Sequence, residues 1–470
     1  MHNSTSPSAW TLTLPPLALC LALALPAPAR AQAADAAEIQ RLRQDIDALR
    51  TSYEARLQAL EQRLQATESA LQAAPAAVPP PAAAPTDMSA APPPPVAASG
   101  GGGPNAFNPA VSLILSGLYA RTSQDPSRYA ITGFALPPGA AIGPGTRGFS
   151  LAETELGFAA SIDPWFQGWA NIALEPDNSV SIEEAFVQTT GLGHGLTLKA
   201  GRFYSSVGYL NAQHSHTWDF VDAPLAYQAM LGTQYNDDGV QLKWLAPTDT
   251  FVEVGLELGR GLSFPGGSDS RNGAGMAALS VHTGGDIGDS HSWRAGLSVL
   301  NARASGQSLQ GLDAAGNGVS STFSGRTRVL VADAVWKWAP HGNATRTNFK
   351  LQGEYLRSRP DGNLTDASGA SSSYRPAQSG WYLQGVYQFI PAWRVGLRTE
   401  RLNAGSSSTG LYALDGSRPR RNSVMLDYSP SEFSRVRLQL SRDQARAGKP
   451  DNQIFVQYQM SLGAHGAHSY

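Results

Sequence analysis

The lengths of its connections constrain this chain more than any motif does. From about residue 110 to the C-terminus, short segments alternate apolar and polar residues with a period of two, the pattern of strands with one face of each kind. The first strand spans about 110–122 and the last 453–462. Between them, strands pair across Asp163-Pro164, 191–195, 246–249, 284–290, 339–344, 390–392 and 429–431. The count comes to about sixteen, an even number, as single-chain bacterial barrels require. Paired strands share short turns, whereas the intervening connections are long: 123–147, 202–238, 261–272, 304–321, 358–377 and 403–418, with 176–179 the exception. A soluble sandwich has no reason to keep that alternation, but transmembrane barrels have short periplasmic turns and long outer loops. The pattern predicts an all-β transmembrane β-barrel of about sixteen antiparallel strands over 105–470, set in outer-membrane lipid with both ends on the periplasmic side.

Aromatic placement agrees. Trp165, Trp244, Phe251, Trp293, Trp338, Phe389, Trp393, Tyr428 and Phe433 all lie beside short turns, where an interfacial girdle belongs. Only 15% of the 470 residues are charged and the net charge is -2. Such a balance offers no basic field and argues against nucleic acid as a partner.

The N-terminal part reads differently. Residues 1–31 look like a secretory signal peptide, with an apolar run ending in Ala29-Arg30-Ala31. Cys20 lies within it, so the exported chain carries no thiol, and Leu19 is too large to precede a lipidated cysteine. Over 37–73, Ile39, Leu42, Ile46, Leu49 and Tyr53 follow 3-4 spacing, which Leu57, Leu60, Leu64 and Leu71 resume after a four-residue slip. That narrow seam predicts an α-helical coiled coil with one stutter, reaching roughly 50 Å into the periplasm. It also offers a contact with the cell wall. Residues 74–104 are Ala, Pro, Ser and Gly and predict a semi-rigid linker.

The longest connection, 202–238, is rich in aromatics and poor in low-complexity sequence. It is expected to fold into the lumen as a constriction built from Arg202, Tyr209, His214, His216, Trp218, Asp219 and Asp222. If the apolar phase faces lipid, the other phase lines the pore. Early strands then contribute Glu153, Glu155, Glu253 and Glu257. Later strands contribute Arg294, Arg326, Arg328, Arg394, Arg398, Arg435 and Arg437. Acid and base on opposing walls predict a transverse field; mutual neutralisation is the plainer alternative. Glu183 and Glu184 are adjacent, so one is expected to face away.

A third loop of this kind resembles that of sixteen-stranded porins, whose third loop folds inward. The coiled coil with such a barrel is similar to porins of the phosphate-selective type, and with it comes the expectation of a homotrimer. Phe107-Asn108-Pro109, Gly201-Arg202-Phe203, His214 to Phe220, Asp237-Asp238-Gly239-Val240 and His465-Gly466-Ala467-His468 resemble a family of proteobacterial outer-membrane proteins. Some of its members are labelled zinc-regulated or TonB-dependent receptors. A TonB-dependent transporter needs a plug domain and about twenty-two strands, and a coiled coil with a Pro-rich linker supplies no plug.

The function expected is therefore a porin for passive diffusion of small hydrophilic solutes or ions. The rivals are a receptor for a metal ion or metallophore and a structural tether to the cell wall. His214 and His216, with Asp219 and Asp222, offer nitrogen and oxygen ligands of the kind that bind zinc. The bland reading is a pair of hydrogen-bonded loop histidines that titrate near pH 6 to 7; His465 and His468 are open to the same two readings. No other cofactor is expected. No nucleophile-base constellation or phosphate-cradling loop stands out, so no enzyme activity is expected.

Overall fold

The computed structural model describes residues 109–463 apart from 153, 268–271, 314, 406–411 and 413–416. The signal peptide, coiled coil and linker segments, Glu153, His465 and His468 lie outside the described residues. Period-two alternation becomes eighteen strand segments, from β1 (Ala110–Thr122) to β18 (Asp451–Gly463), in one antiparallel sheet. The sheet closes where β1 pairs with β18, from Ser112 opposite Gly463 to Thr122 opposite Gln453. Closure removes both exposed edges.

Two of the staves are interrupted. β2 (Gly148–Leu151) and β3 (Thr154–Ser161) both pair with β1. β13 (Ser371–Tyr374) and β14 (Gln378–Ile390) both pair with β12 (Asn348–Asp366). Eighteen segments thus make a barrel of sixteen strands, the number read from the turns.

The faces are inverted relative to a soluble protein. Leu297 and Leu397 are 68% and 61% exposed, whereas Glu400, Asp427 and Gln439 on the other phase are 0% exposed. A continuous exposed apolar band around a closed, polar-walled barrel is a lipid face, and the barrel spans the outer membrane. Trp165, Trp244, Phe389 and Phe433 are exposed at the short-turn rim, where amphipathic rings sit at headgroup level.

Two expected loops are mostly strand. β10 (His291–Leu312) and β11 (Gly318–Trp338) pair through to Leu312 and Gly318, which takes up most of 304–321. β12 and β13 likewise occupy much of 358–377. Ser, Thr and Gly blur the alternation there, but the hairpins have an inner face: Leu309, Phe323, Leu364, Tyr374 and Tyr412 cluster on it. The ladder needs backbone partners, and this small cluster sets its phase.

The barrel is not hollow at loop level. The connection 205–235 turns inward, and so does 123–147, which the sequence leaves as an outer loop. Ile131, Phe134 and Leu136 from the latter join Val207, Leu210, Trp218, Leu225 and Tyr227 from the former. Together they pack on Leu300, Val329, Val331 and Leu356 of the inner wall. A short helix, α1 (Leu225–Leu231), is buried on every residue and ends at Gly232, whose φ of 66° supplies the left-handed cap.

Candidate functional site: the lumen and its inward loop

The loop meets the acidic wall through its histidines. His214 Nδ1 lies 3.1 Å from Glu183 and 3.3 Å from Glu155, and its Nε2 lies 3.0 Å from Glu184. His216 Nδ1 is 2.9 Å from the same Glu155 oxygen. The two imidazoles stack with centroids 5.6 Å apart. Both Glu183 and Glu184 reach this point because β5 (Val180–Thr189) bulges there. Its register against β4 (Phe166–Leu174) slips between Asn171 and Ile172. The extra residue breaks the period of two, so neither carboxylate faces away.

These contacts change the charge of the loop. Burial works against a charged imidazole, but the carboxylates of Glu155, Glu183 and Glu184 outweigh it and hold His214 well above its ordinary range. Those three carboxylates favour the protonated imidazole.

The other side of the loop carries the opposite sign to the opposite wall. Asp219 meets Lys350 at 2.6 Å and Arg394 at 3.4 Å. Asp222 meets Arg398 at 2.5 Å and Arg421 at 2.8 Å. Burial pushes both carboxyls up; these cations pull harder and leave both below the usual carboxylate range. Wall groups close the remaining valences: Arg437 bonds Asp427 at 2.8 Å and the Trp218 carbonyl at 2.7 Å, and Arg435 reaches the His216 carbonyl at 2.6 Å. The arginines also cover rings, Arg398 over Phe220 at 4.4 Å and Arg294 over Tyr209 at 5.3 Å.

Three wall carboxylates complete the attachment by accepting from the loop. Glu257 takes Ser205 Oγ, Ser206 N and Ser206 Oγ. Glu354 takes the backbone N–H of Tyr209 and of Leu210 and the Tyr227 hydroxyl. Glu400 takes Leu225 N while holding Arg398 and Arg421. Buried ion pairs gain little net energy once desolvation is counted. Each well-buried apolar side chain contributes about 1.5–3 kcal/mol. The apolar cluster therefore keeps the loop inside, and the polar contacts fix its orientation.

Of the residues expected at the constriction, Tyr209, His214, His216, Trp218, Asp219 and Asp222 stand inside the barrel. Arg202 does not. β6 (Leu196–Tyr204) continues past it, so Arg202 shares the outward phase of Leu196 and Leu198 and pairs with Asp238 at 2.7 Å. Glu155, Glu253, Glu257, Arg294, Arg394, Arg398, Arg435 and Arg437 are on the inner wall. Arg326 and Arg328 are a correction: both are exposed on the phase of Leu330, outside the barrel. Val329, Leu330 and Val331 are apolar on both phases, so alternation could not choose; the loop's apolar cluster claims Val329 and Val331. Asp219 and Asp222, expected to share a metal with the histidines, go instead to the basic wall.

Sequence reasoning missed Lys350, Glu354, Glu400, Arg421 and Asp427. A signal existed for each: a charged residue on the phase opposite exposed Leu351, Tyr355, Leu397, Val424 or Leu426.

No family model matches this chain. It is 31% identical over 348 residues to an uncharacterized protein of Aquifex aeolicus (strain VF5), an alignment covering 69% of this chain and 70% of that one. Among solved structures it is similar to the outer membrane channel DcaP of Acinetobacter baumannii, at TM-score 0.47, 11% identity and coverage of 76% and 97%. An anion-selective porin from Comamonas acidovorans gives 0.45, 10%, 75% and 99% in the same order. OprB of Pseudomonas putida gives 0.43, 13%, 76% and 94%. The membrane assignment rests on the barrel's own two faces.

Proposed function

The chain belongs to one family with the uncharacterized Aquifex aeolicus protein, and since that relative's name states no activity, we propose a function from the geometry: an outer-membrane channel for passive diffusion of small hydrophilic solutes or ions, narrowed by 205–235. One observation carries the reading. A polar-walled closed barrel holds an inward loop on both sides, while Lys243, Lys350 and Arg394 of the wall keep 20%, 24% and 20% of their side chains exposed. Charged groups that stay wet beside a fixed constriction suit ion passage. Single-channel recording in planar bilayers tests it: steady ohmic steps support the channel, and a silent barrel removes it.

A second reading, a site for a zinc-class ion, is favoured by one cluster. Glu155, His214 and His216 each present a ligand atom, all within 4.8 Å of one another. One carboxylate and two imidazoles form an open ligand set, and tetrahedral bonds of about 2.0–2.2 Å would space the ligand atoms roughly 3.3 Å apart. The donors fit with a small shift. Bound there, the ion would tie the loop to β3 and act as cargo or as a block. Isothermal titration with zinc checks this: micromolar binding lost in His214→Ala/His216→Ala supports it, and no heat in the wild type removes it.

The homotrimer and the periplasmic coiled coil over 37–73 complete the proposal. Sedimentation as a monomer in mild detergent would remove the trimer.

A further inference from the structure

Arginines on the outside of the barrel are arranged in a way the channel does not use. On β10 and β11, Arg303 stands directly opposite Arg326. On β11 and β12, Arg328 stands directly opposite Arg359. A third pair, Arg401 and Arg420, faces across β15 (Trp393–Asn403) and β16 (Arg420–Ser431). All six side chains are exposed. Like charges directly opposite on one face of a sheet destabilise it, so three such pairs call for an anion between them. Among the described residues none of the six makes an ion pair. Arg328 donates Nε to Asn301 and Arg420 donates Nε to Gln444, both neutral. Asp361, opposite Arg326 on its other side, accepts Arg375 Nε at its Oδ1 at 2.7 Å.

Their height identifies the counter-charge. Each pair lies beyond the apolar band on its own outward phase: Leu330 follows Arg328 by two residues, Leu397 precedes Arg401 by four and Val424 follows Arg420 by four. At 3.3–3.4 Å per residue along strands tilted by about 40°, that is roughly 5 to 11 Å of height past the last lipid-facing aliphatic. A headgroup begins at that height. The pairs are at the long-loop rim, which in such barrels is the outer one; the short-turn rim has aromatics instead. Guanidinium forks match phosphate oxygens bidentately. We propose that these facing arginine pairs bind phosphate groups of anionic lipid in the outer leaflet, so that the barrel holds specific lipid on the arc of its outer rim from β10 to β16.

The experiment uses the full chain in detergent micelles and counts bound lipid by native mass spectrometry. The probe is a bisphosphorylated, acylated glucosamine disaccharide; the control is the same lipid stripped of both phosphates. Binding should be at least about tenfold tighter for the phosphorylated probe. The variant Arg303→Gln/Arg326→Gln/Arg328→Gln/Arg359→Gln should lose that preference. The four-lysine counterpart should retain part of it, since charge remains and the fork does not. A heat-modifiable gel shift confirms folding. If the four-glutamine variant fails to fold, Arg401→Gln/Arg420→Gln, one strand further round the barrel beyond β14, reads the same loss. Equal binding of both lipids, or a folded glutamine variant that binds like the wild type, overturns the proposal. Displacement of the lipid by inorganic phosphate at equal concentration also overturns it, since the pairs would then be a simple anion site.

Discussion

The Tyr227 hydroxyl donates to the Glu354 carboxylate at 2.8 Å, joining the inward loop to the barrel wall across 127 residues of sequence. Tyr382 of the wall donates to the other oxygen of the same carboxylate at 2.6 Å. With the N–H groups of Tyr209 and Leu210, each at 3.0 Å, four donors converge on one group. Glu354→Ala would strand all four in a buried site, where each unsatisfied donor costs about 1–3 kcal/mol. The expected outcome is a barrel that still inserts but unfolds at lower temperature and shows a larger, noisier conductance. Unchanged conductance would mean that the apolar cluster alone holds the loop.

The basic wall separates into groups with different expected effects. Arg394 keeps 20% of its side chain exposed, whereas Arg398 and Arg437 keep 2% and 1%. Replacing Arg394 with Ala should move the reversal potential in a salt gradient towards cations with a smaller loss of stability, since Asp219 keeps Lys350 and Asp427 keeps Arg437. Replacing Arg398 or Arg437 leaves Asp222 or Asp427 short of a partner in a buried place, and breaking such a pair costs about 3–5 kcal/mol. Those variants should lose thermal stability first. If all three shift selectivity alike and unfold alike, burial is not what distinguishes them.

Acid should release the loop only late. Asp219 and Asp222 have folded pKa values below their unfolded values, because cations outweigh burial. A depressed carboxylate contributes stability that is present above its unfolded pKa, about 3.9, and is lost as pH falls through the folded pKa. The loop's hold on the basic wall should therefore be constant from pH 7 to about 5, weaken from there, and go in strong acid. Conductance recorded down a pH series would show it. A rise between pH 7 and 5 would point to another group.

How much of this was legible in the sequence follows from which signals are local. Sixteen strands, the rough position of the short turns and the inward course of most of 202–238 were readable, because turn residues and period-two alternation are properties of neighbours in the chain. The expected turn at 429–431 instead ends β16, and that at 284–290 begins inside β9 (Met276–Ile287). Facing direction failed where that period breaks or carries no contrast. At Glu183 and Glu184 a bulge inserts one residue. At Val329 to Val331 both phases are apolar. Arg202 was assigned to the loop because its strand runs three residues further than the alternation suggests. The partners of His214 were beyond reach for another reason: Glu155 and Glu183 lie 59 and 31 positions away in the chain, and only the closed barrel brings them to one imidazole.

Removing 205–234 tests the constriction directly. Inside the barrel that segment covers Leu300, Val329, Val331 and Leu356, all at most 2% exposed, and neutralises both charged walls. Its deletion should widen the pore and raise single-channel conductance several-fold. It should also leave the inner arginines facing water without Asp219 and Asp222, so the open pore should prefer anions more strongly than the parent. The same deletion bares an apolar patch to the lumen, at about 25 cal/mol per Å² of newly wetted surface, so the midpoint of thermal unfolding should fall. Polar replacement of that patch, Val329→Thr/Val331→Thr, should recover part of the lost stability in the deleted barrel while destabilising the intact one. A deletion that leaves conductance and selectivity as they were would show that the narrowest point is elsewhere.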